Sequence, residues 1–489
     1  MSEHIILGAM YRSLGAYPSG WRHPGAHKNP RQDAAVLRRT ARLAEAAKLD
    51  YLFFGDWLAT GADFEFSDPY LLARIDPLSA VAYLAGLTRR IGLIATVNTS
   101  YSDAYAVART TASIDLLSGG RAGLNLVTGL EPRAAGNFGR TGRTGSDNGF
   151  DRAAEFVEAL RLLWDSWGEG AYLGDAAAGR LLDATKLYPA EFVGEHVQTT
   201  GPLNVERPVQ GHVPIVHAGT AVRSRQLVST QGDLALVALP TLGDTVAFRS
   251  ALRHQVVAAG RPADSVKVIT PILPVVAETT EEAWRIVDTL IALLPLDEGP
   301  GAASAHPPTG HSLPPNRSLR SLSQVIGVAL GPHELDAAVP ARLVEKFGEA
   351  GQRLVALVET RTGRRVGGER PVTFRHLVAT NAIPGPMIVG DAVQVADSLE
   401  EWFRAGAVDG FNVLSAFLTE QFEAFTTLVV PELVRRGLFR DEYEGRTLRD
   451  HLGLPVPPNR HTTAAAGVAA AAQAPSSAAA FDAYYLRTS

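Results

Sequence analysis

Short apolar runs recur along most of the chain, each followed by a stretch with helical spacing, and this alternation restricts the fold more than any other feature. The runs are "IILGA" (5–9), "YLFF" (51–54), "IGLIATVN" (91–98), "AGLNLV" (122–127), "VPIVHAG" (213–219), "LALVAL" (234–239), "VKVITPILPVV" (266–276) and "DGFNVLSAF" (409–417). Strands that alternate with helices pair in parallel through right-handed crossovers. Eight of them fit a closed barrel better than an open sheet, so the expected class is α/β, a TIM (β/α)8 barrel with insertions.

The helical stretches carry their own signals. Asp33 is a candidate N-cap for "AAVLRRTARLAEAAKL", whose apolar positions recur at helical spacing. Arg42 and Glu45 are placed to pair across one turn. Gly119 and Gly120 suit a helix C-terminus and a tight turn into the fourth strand.

Two stretches exceed normal connection lengths. One is 168–212; the other begins with the Pro/Gly/Ser-rich span 296–325 and extends to about 385. Both read as insertions at the barrel mouth, where they can act as lids. The barrel is expected over 1–459. After it, 460–489 is Ala-rich without a periodic apolar face, which reads as a disordered tail.

Composition narrows the function. The charge of −5 comes from mixed signs without a basic stripe, which argues against nucleic acid. "MSEHIILGAMYRS" lacks a signal-length apolar core and no stretch is long enough to span a bilayer, so a cytoplasmic location is expected. With no cysteine, redox chemistry must come from a borrowed cofactor. None of the five lysines follows glycine, and no G-x-G-x-x-G, H-E-x-x-H or G-x-S-x-G is present. No metal site is expected.

In a barrel of this kind the chemistry sits just beyond the strand C-termini. There the chain places Asp56, which holds a ligand hydroxyl or ring N–H or caps the turn, and Thr96 and Asn98, which share one strand face by period two. Asn125 approaches the mouth from the fourth strand. His217 follows among small residues that let a ligand come close.

Several longer motifs resemble one family. They are "WRHP" (21–24), "FFGD" (53–56), "TRRIGLIAT" (88–96), "LSGGRAGLNLVT" (117–128), "NFG" (137–139), "LWDSW" (163–167), "GPLNVERPVQG" (201–211) and "RGLFRDEYEGRTLRDHLGL" (436–454). Over residues 5–458 the chain resembles the flavin-dependent monooxygenases of the bacterial-luciferase superfamily, in the branch with nitrilotriacetate monooxygenase, dibenzothiophene-sulfone monooxygenase and pristinamycin synthase.

The resemblance implies a luciferase-like barrel that takes reduced FMN from a separate NAD(P)H:flavin reductase. With O2 it would oxidise a small organic substrate through a C4a-(hydro)peroxyflavin. It implies a homodimer or homotetramer. Asp56 and Thr96 match flavin-contacting positions; Trp21, His23 and Phe411 match the substrate side. His23 then serves as general acid or base, or as a packing residue.

The chain departs from the family at the FMN phosphate. A histidine and a tyrosine four residues later become Ser146 and Phe150, and a serine after the fifth strand becomes Ala221, beside Thr220. Ser146, Asn148, Gly149 and the arginines Arg140, Arg143 and Arg152 either rebuild the anion site or form a solvated turn, and weak FMN binding is expected. The alternatives are a deazaflavin-dependent oxidoreductase and a catalytically silent flavin-binding homologue.

Overall fold

Each of the eight apolar runs forms a strand in the computed structural model, which describes residues 4–59, 74–129, 132–139, 146–239, 241–294, 296, 319–330, 334–381 and 387–462. They are β1 (Ile6–Met10), β2 (Tyr51–Phe54), β3 (Gly92–Asn98), β4 (Ala122–Val127), β5 (Ile215–Ala218), β6 (Leu234–Leu236), β7 (Lys267–Val276) and β8 (Gly410–Leu414). All pair in parallel in chain order, and β8 returns to β1, which closes the barrel. A further strand, Met387–Gly390, pairs with the second half of β7 outside the ring.

Both faces of each strand are covered, hence the nearly unbroken apolar runs. On β3, Leu93, Ala95 and Val97 pack outward against the helices, while Ile94 joins Ile6, Tyr51, Phe53, Val216 and Ile269 inside. The C-terminal segment plugs the N-terminal end: Leu448, Leu452 and Leu454 join that inner cluster. Gly92 and Gly123 leave the room Leu448 needs, since a Cβ at either would meet its side chain.

Helix termini follow local chemistry. Asp103 caps Ala104–Ser118 by accepting from Tyr105 N (2.9 Å) and Ala106 N (3.2 Å). Gly119 ends that helix at φ 72° and Gly120 continues at φ 92°, as the glycine pair implied. Two local expectations are corrected. The helix Asp33–Ala46 begins at Asp33 itself, whose carboxylate meets His27 Nε2 at 2.7 Å instead of capping. The Glu45 carboxylate accepts from the backbone N–H groups of Arg89 (2.7 Å), Arg90 (2.6 Å) and Ile91 (3.2 Å), and no Arg42 pair forms among the described residues.

The stretch 168–212 is not confined to the mouth. It returns to the closed end, where Arg207 meets Asp165 (2.9 Å) and Gln210 donates to Asp115 (2.7 Å). The turn at 194–197 runs beside the helix Ser146–Trp164, capped by Glu155 through His196 N (2.7 Å) and Val197 N (2.9 Å). The described part of the second insertion is helical and builds its own core around Leu322, Ile326, Val358 and Leu377. Most of 296–325 lies outside the described residues, as does the expected disordered tail beyond 462; residues 459 and 460 are docked on Asp165.

Candidate functional site at the barrel mouth

The polar residues at the mouth divide into three groups. In the lumen, Thr96 and Asn125 stand opposite each other on β3 and β4. Asn125 Nδ2 donates to Thr96 Oγ1 at 2.9 Å, and Asn125 Oδ1 is left buried with no hydrogen-bond partner. Asn98 is used differently: its Nδ2 donates to Gly129 O (2.8 Å) and its Oδ1 accepts from Ser100 N (2.9 Å), which fastens the loops after β3 and β4.

Asp56, just past β2, accepts from Trp57 N at 2.8 Å. Burial pushes its carboxyl above the usual carboxylate range, partly countered by that bond and by Arg74.

The second group surrounds the start of the helix Ser146–Trp164. His217 alternates with the inward-facing Val216, so its ring turns toward this helix. Phe150 meets it edge-on at 6.1 Å. His217 Nδ1 lies 2.9 Å from Leu126 O, so that nitrogen carries the proton, and Nε2 is buried without a partner. Burial lowers the pKa of this ring, keeping it neutral. Thr220 and Ala221 are exposed just before the helix Val222–Gln231, and Ala221 occupies its N-cap with no side chain able to cap it.

The side chains of Ser146 and Asn148, and all of Arg140 and Arg143, lie outside the described residues. Arg152 does not supply the anion contact considered for it. Its guanidinium donates to Thr99 O (2.7 Å), His196 O (2.6 Å) and Ser102 O (3.4 Å), so it ties the helix to two loops.

The third group lies across the mouth, on the loop after β1. The His23 ring stacks on Phe417 with centroids 4.0 Å apart and planes 19° apart. Gly25 N–H donates to His23 Nδ1 at 3.2 Å. The loop is held against the segment after β8 by His27 N–H donating to Leu418 O (2.6 Å) and by a bridge between Ala26 and Thr419. Trp21 is exposed on the same loop.

Phe411 is a correction. With Val413 it faces outward into the helix-packed core and lines no part of the lumen. The inward residue is its neighbour Asn412, fully buried, with neither Nδ2 nor Oδ1 hydrogen-bonded. The period-two pattern of "GFNVL" carried that signal, because Phe and Val belong on the apolar face.

A buried amide without a partner is costly and calls for an explanation such as a ligand or water. Asn125 and Asn412 therefore suit a ligand with both donors and acceptors on its edge. Among the described residues no cluster of His, Asp or Glu is able to hold a metal ion. No helix of the described residues is long and apolar enough to cross a membrane.

Residues 17–409 match the model of the family described as Luciferase-like monooxygenase. The chain belongs to this family. It is 36% identical over 470 residues to nitrilotriacetate monooxygenase component A of Aminobacter aminovorans, covering 94% of this chain and 98% of that one. It is 34% identical over 459 residues to dibenzothiophene-sulfone monooxygenase of Rhodococcus erythropolis, covering 89% and 93%. Among solved structures it superposes on EDTA monooxygenase from Chelativorans sp. BNC1 with a TM-score of 0.71 at 28% identity, covering 93% and 100%. The resemblance read from the motifs is borne out, as is the luciferase-like barrel, and the chain is an enzyme of the monooxygenase class.

Proposed function

We propose that this luciferase-like monooxygenase oxidises a small organic substrate with O2 and reduced FMN, the flavin being supplied by a separate NAD(P)H:flavin reductase. The observation that carries the reading is end-to-end similarity to monooxygenases, one of them named as component A of its system. Reduced flavin brings the two electrons that let one oxygen atom enter the substrate while the other leaves as water.

The chain's own residues orient and enclose that chemistry. Asn125, Asn412 and Thr96 offer hydrogen bonds inside the lumen, where water is excluded and polar contacts are strong. Asp56, with a raised pKa, is suited to a ligand hydroxyl or ring N–H at the rim. The starts of the helices at Ser146 and Val222 present backbone N–H groups that have no intrahelical partner, which suits a phosphate. His217, neutral, accepts through Nε2 and so serves a donor rather than the phosphate itself. His23 and Trp21 face the substrate side.

The test is reconstitution with FMN, NADH and a purified flavin reductase under 18O2, with a panel of amines, sulfur compounds and ketones. Label in a product, dependent on both reductase and this protein, is the expected result. Peroxide release without any labelled product, or a preference for reduced deazaflavin run in parallel, would overturn the proposal.

A further inference from the structure

We infer that His23 serves the site as a neutral hydrogen-bond donor through Nε2, its tautomer fixed by the backbone N–H of Gly25. The inference rests on the reading of the mouth as an oxygenation site, and it concerns which proton His23 holds there.

In a neutral imidazole one nitrogen donates and the other accepts. Gly25 N–H points at Nδ1 across 3.2 Å, so Nδ1 is the acceptor and the ring proton lies on Nε2. Nε2 has no hydrogen-bond partner among the described residues and is the nitrogen left for a ligand. The ring cannot turn over to exchange its two nitrogens without losing the Gly25 bond, and the stack on Phe417 confines its plane.

Gly25 itself is held in place. A side chain there would run into the Glu420 carboxylate, and the flanking residues Ala26 and His27 are tied to Thr419 and Leu418. The loop after β1 and the segment after β8 therefore set the tautomer together.

Protonating Nδ1 would bring two N–H groups face to face, so the imidazolium is disfavoured. The charged groups that act on the ring are Glu420, which favours the cation, and Lys28, which opposes it. Burial, the largest effect, acts with Lys28 against Glu420 and holds the pKa below the usual histidine value. A neutral Nε2–H ring is a donor to an oxygen atom of the ligand and is unable to work as a base through Nε2.

Gly25 is a positioning residue in this scheme, and its test reads the ring directly. In protein labelled with 15N-histidine, the His23 signals are assigned by their loss in His23→Gln. At neutral pH the flavin-free protein is expected to show a protonated Nε2 and a bare Nδ1. In a Glu420→Ala background, which opens the space beside Gly25, Gly25→Ala keeps the N–H and the tautomer, whereas Gly25→Pro removes the N–H and produces a mixture. Gln carries its amide nitrogen near the Nε2 position and Asn near Nδ1, so His23→Gln should retain at least about tenfold more substrate oxidation than His23→Asn.

A neutral Nδ1–H ring in the flavin-free protein, or equal losses in the Gln and Asn variants, would overturn the inference. Absence of labelled product with every substrate instead counts against the proposed function and leaves the tautomer result standing.

Discussion

The replacement Asn412→Leu should raise the stability of the flavin-free protein and weaken its hold on flavin. Leucine matches the heavy-atom count and the branching of asparagine, so the perturbation is chiefly the replacement of two polar atoms by two methyl groups. In the structure both atoms are fully buried without a partner, between the inward faces of Gly8 and Pro271. A buried unsatisfied polar group costs about 1–3 kcal/mol, so the leucine variant should gain on the order of 1–3 kcal/mol. Unfolding entropy near 2.1 cal/mol/K per residue gives a chain of this size about 1 kcal/mol/K, so the thermal midpoint should rise by roughly 1–3 °C. Flavin loses a lumenal hydrogen bond at the same time, worth about tenfold in Kd. Differential scanning fluorimetry without flavin and fluorescence quenching on titration with FMN read the two effects separately. A fall in midpoint together with unchanged FMN affinity would refute the reasoning, because it would mean that the amide is satisfied within the protein or by water.

Three further outcomes are expected. Oxidised FMN should bind with Kd above micromolar, and Phe150→Tyr combined with Ala221→Ser should tighten it about tenfold or more by restoring two hydroxyls near the helix starts; submicromolar binding by the parent chain would count against this. Arg152→Ala should destabilise the protein by about 2–4 kcal/mol in chemical denaturation, with or without FMN, because its bonds go to backbone carbonyls, two of them at 2.6 and 2.7 Å. Burial raises the Asp165 carboxyl, but His212 and Arg207 outweigh that and hold it down at about 2. The stability it contributes is complete above the unfolded carboxylate value near 3.8 and is lost as pH falls through about 2. Asp165→Asn should therefore flatten the acid limb of an unfolding titration between those two values, and an unchanged limb would show that the carboxylate contributes nothing.

Period and burial, which a linear chain carries openly, account for what was legible. All eight barrel strands follow from apolar runs because a parallel strand covered on both faces has few polar positions to break the run. The same density hides the lumen: where both faces are apolar, the inward residue is revealed only by its exception, and in "GFNVL" that exception is Asn412 rather than the larger Phe411. Arg152 shows a second limit. An arginine beside the turn proposed to take a phosphate has the right charge for an anion, yet three carbonyls from loops about 50 residues away in sequence claim it. That competition depends on which chain ends meet at the mouth, and spacing along the helix carries no trace of it. His23 shows the converse, since its tautomer is set by Gly25, two residues on. The glycine matters there because Glu420, from the far end of the barrel sequence, closes the space above it. Residue types at the mouth are thus readable one strand at a time, whereas the protons they hold are decided by which strands adjoin: β4 beside β5 for His217, and β1 beside β8, which only barrel closure brings about, for His23.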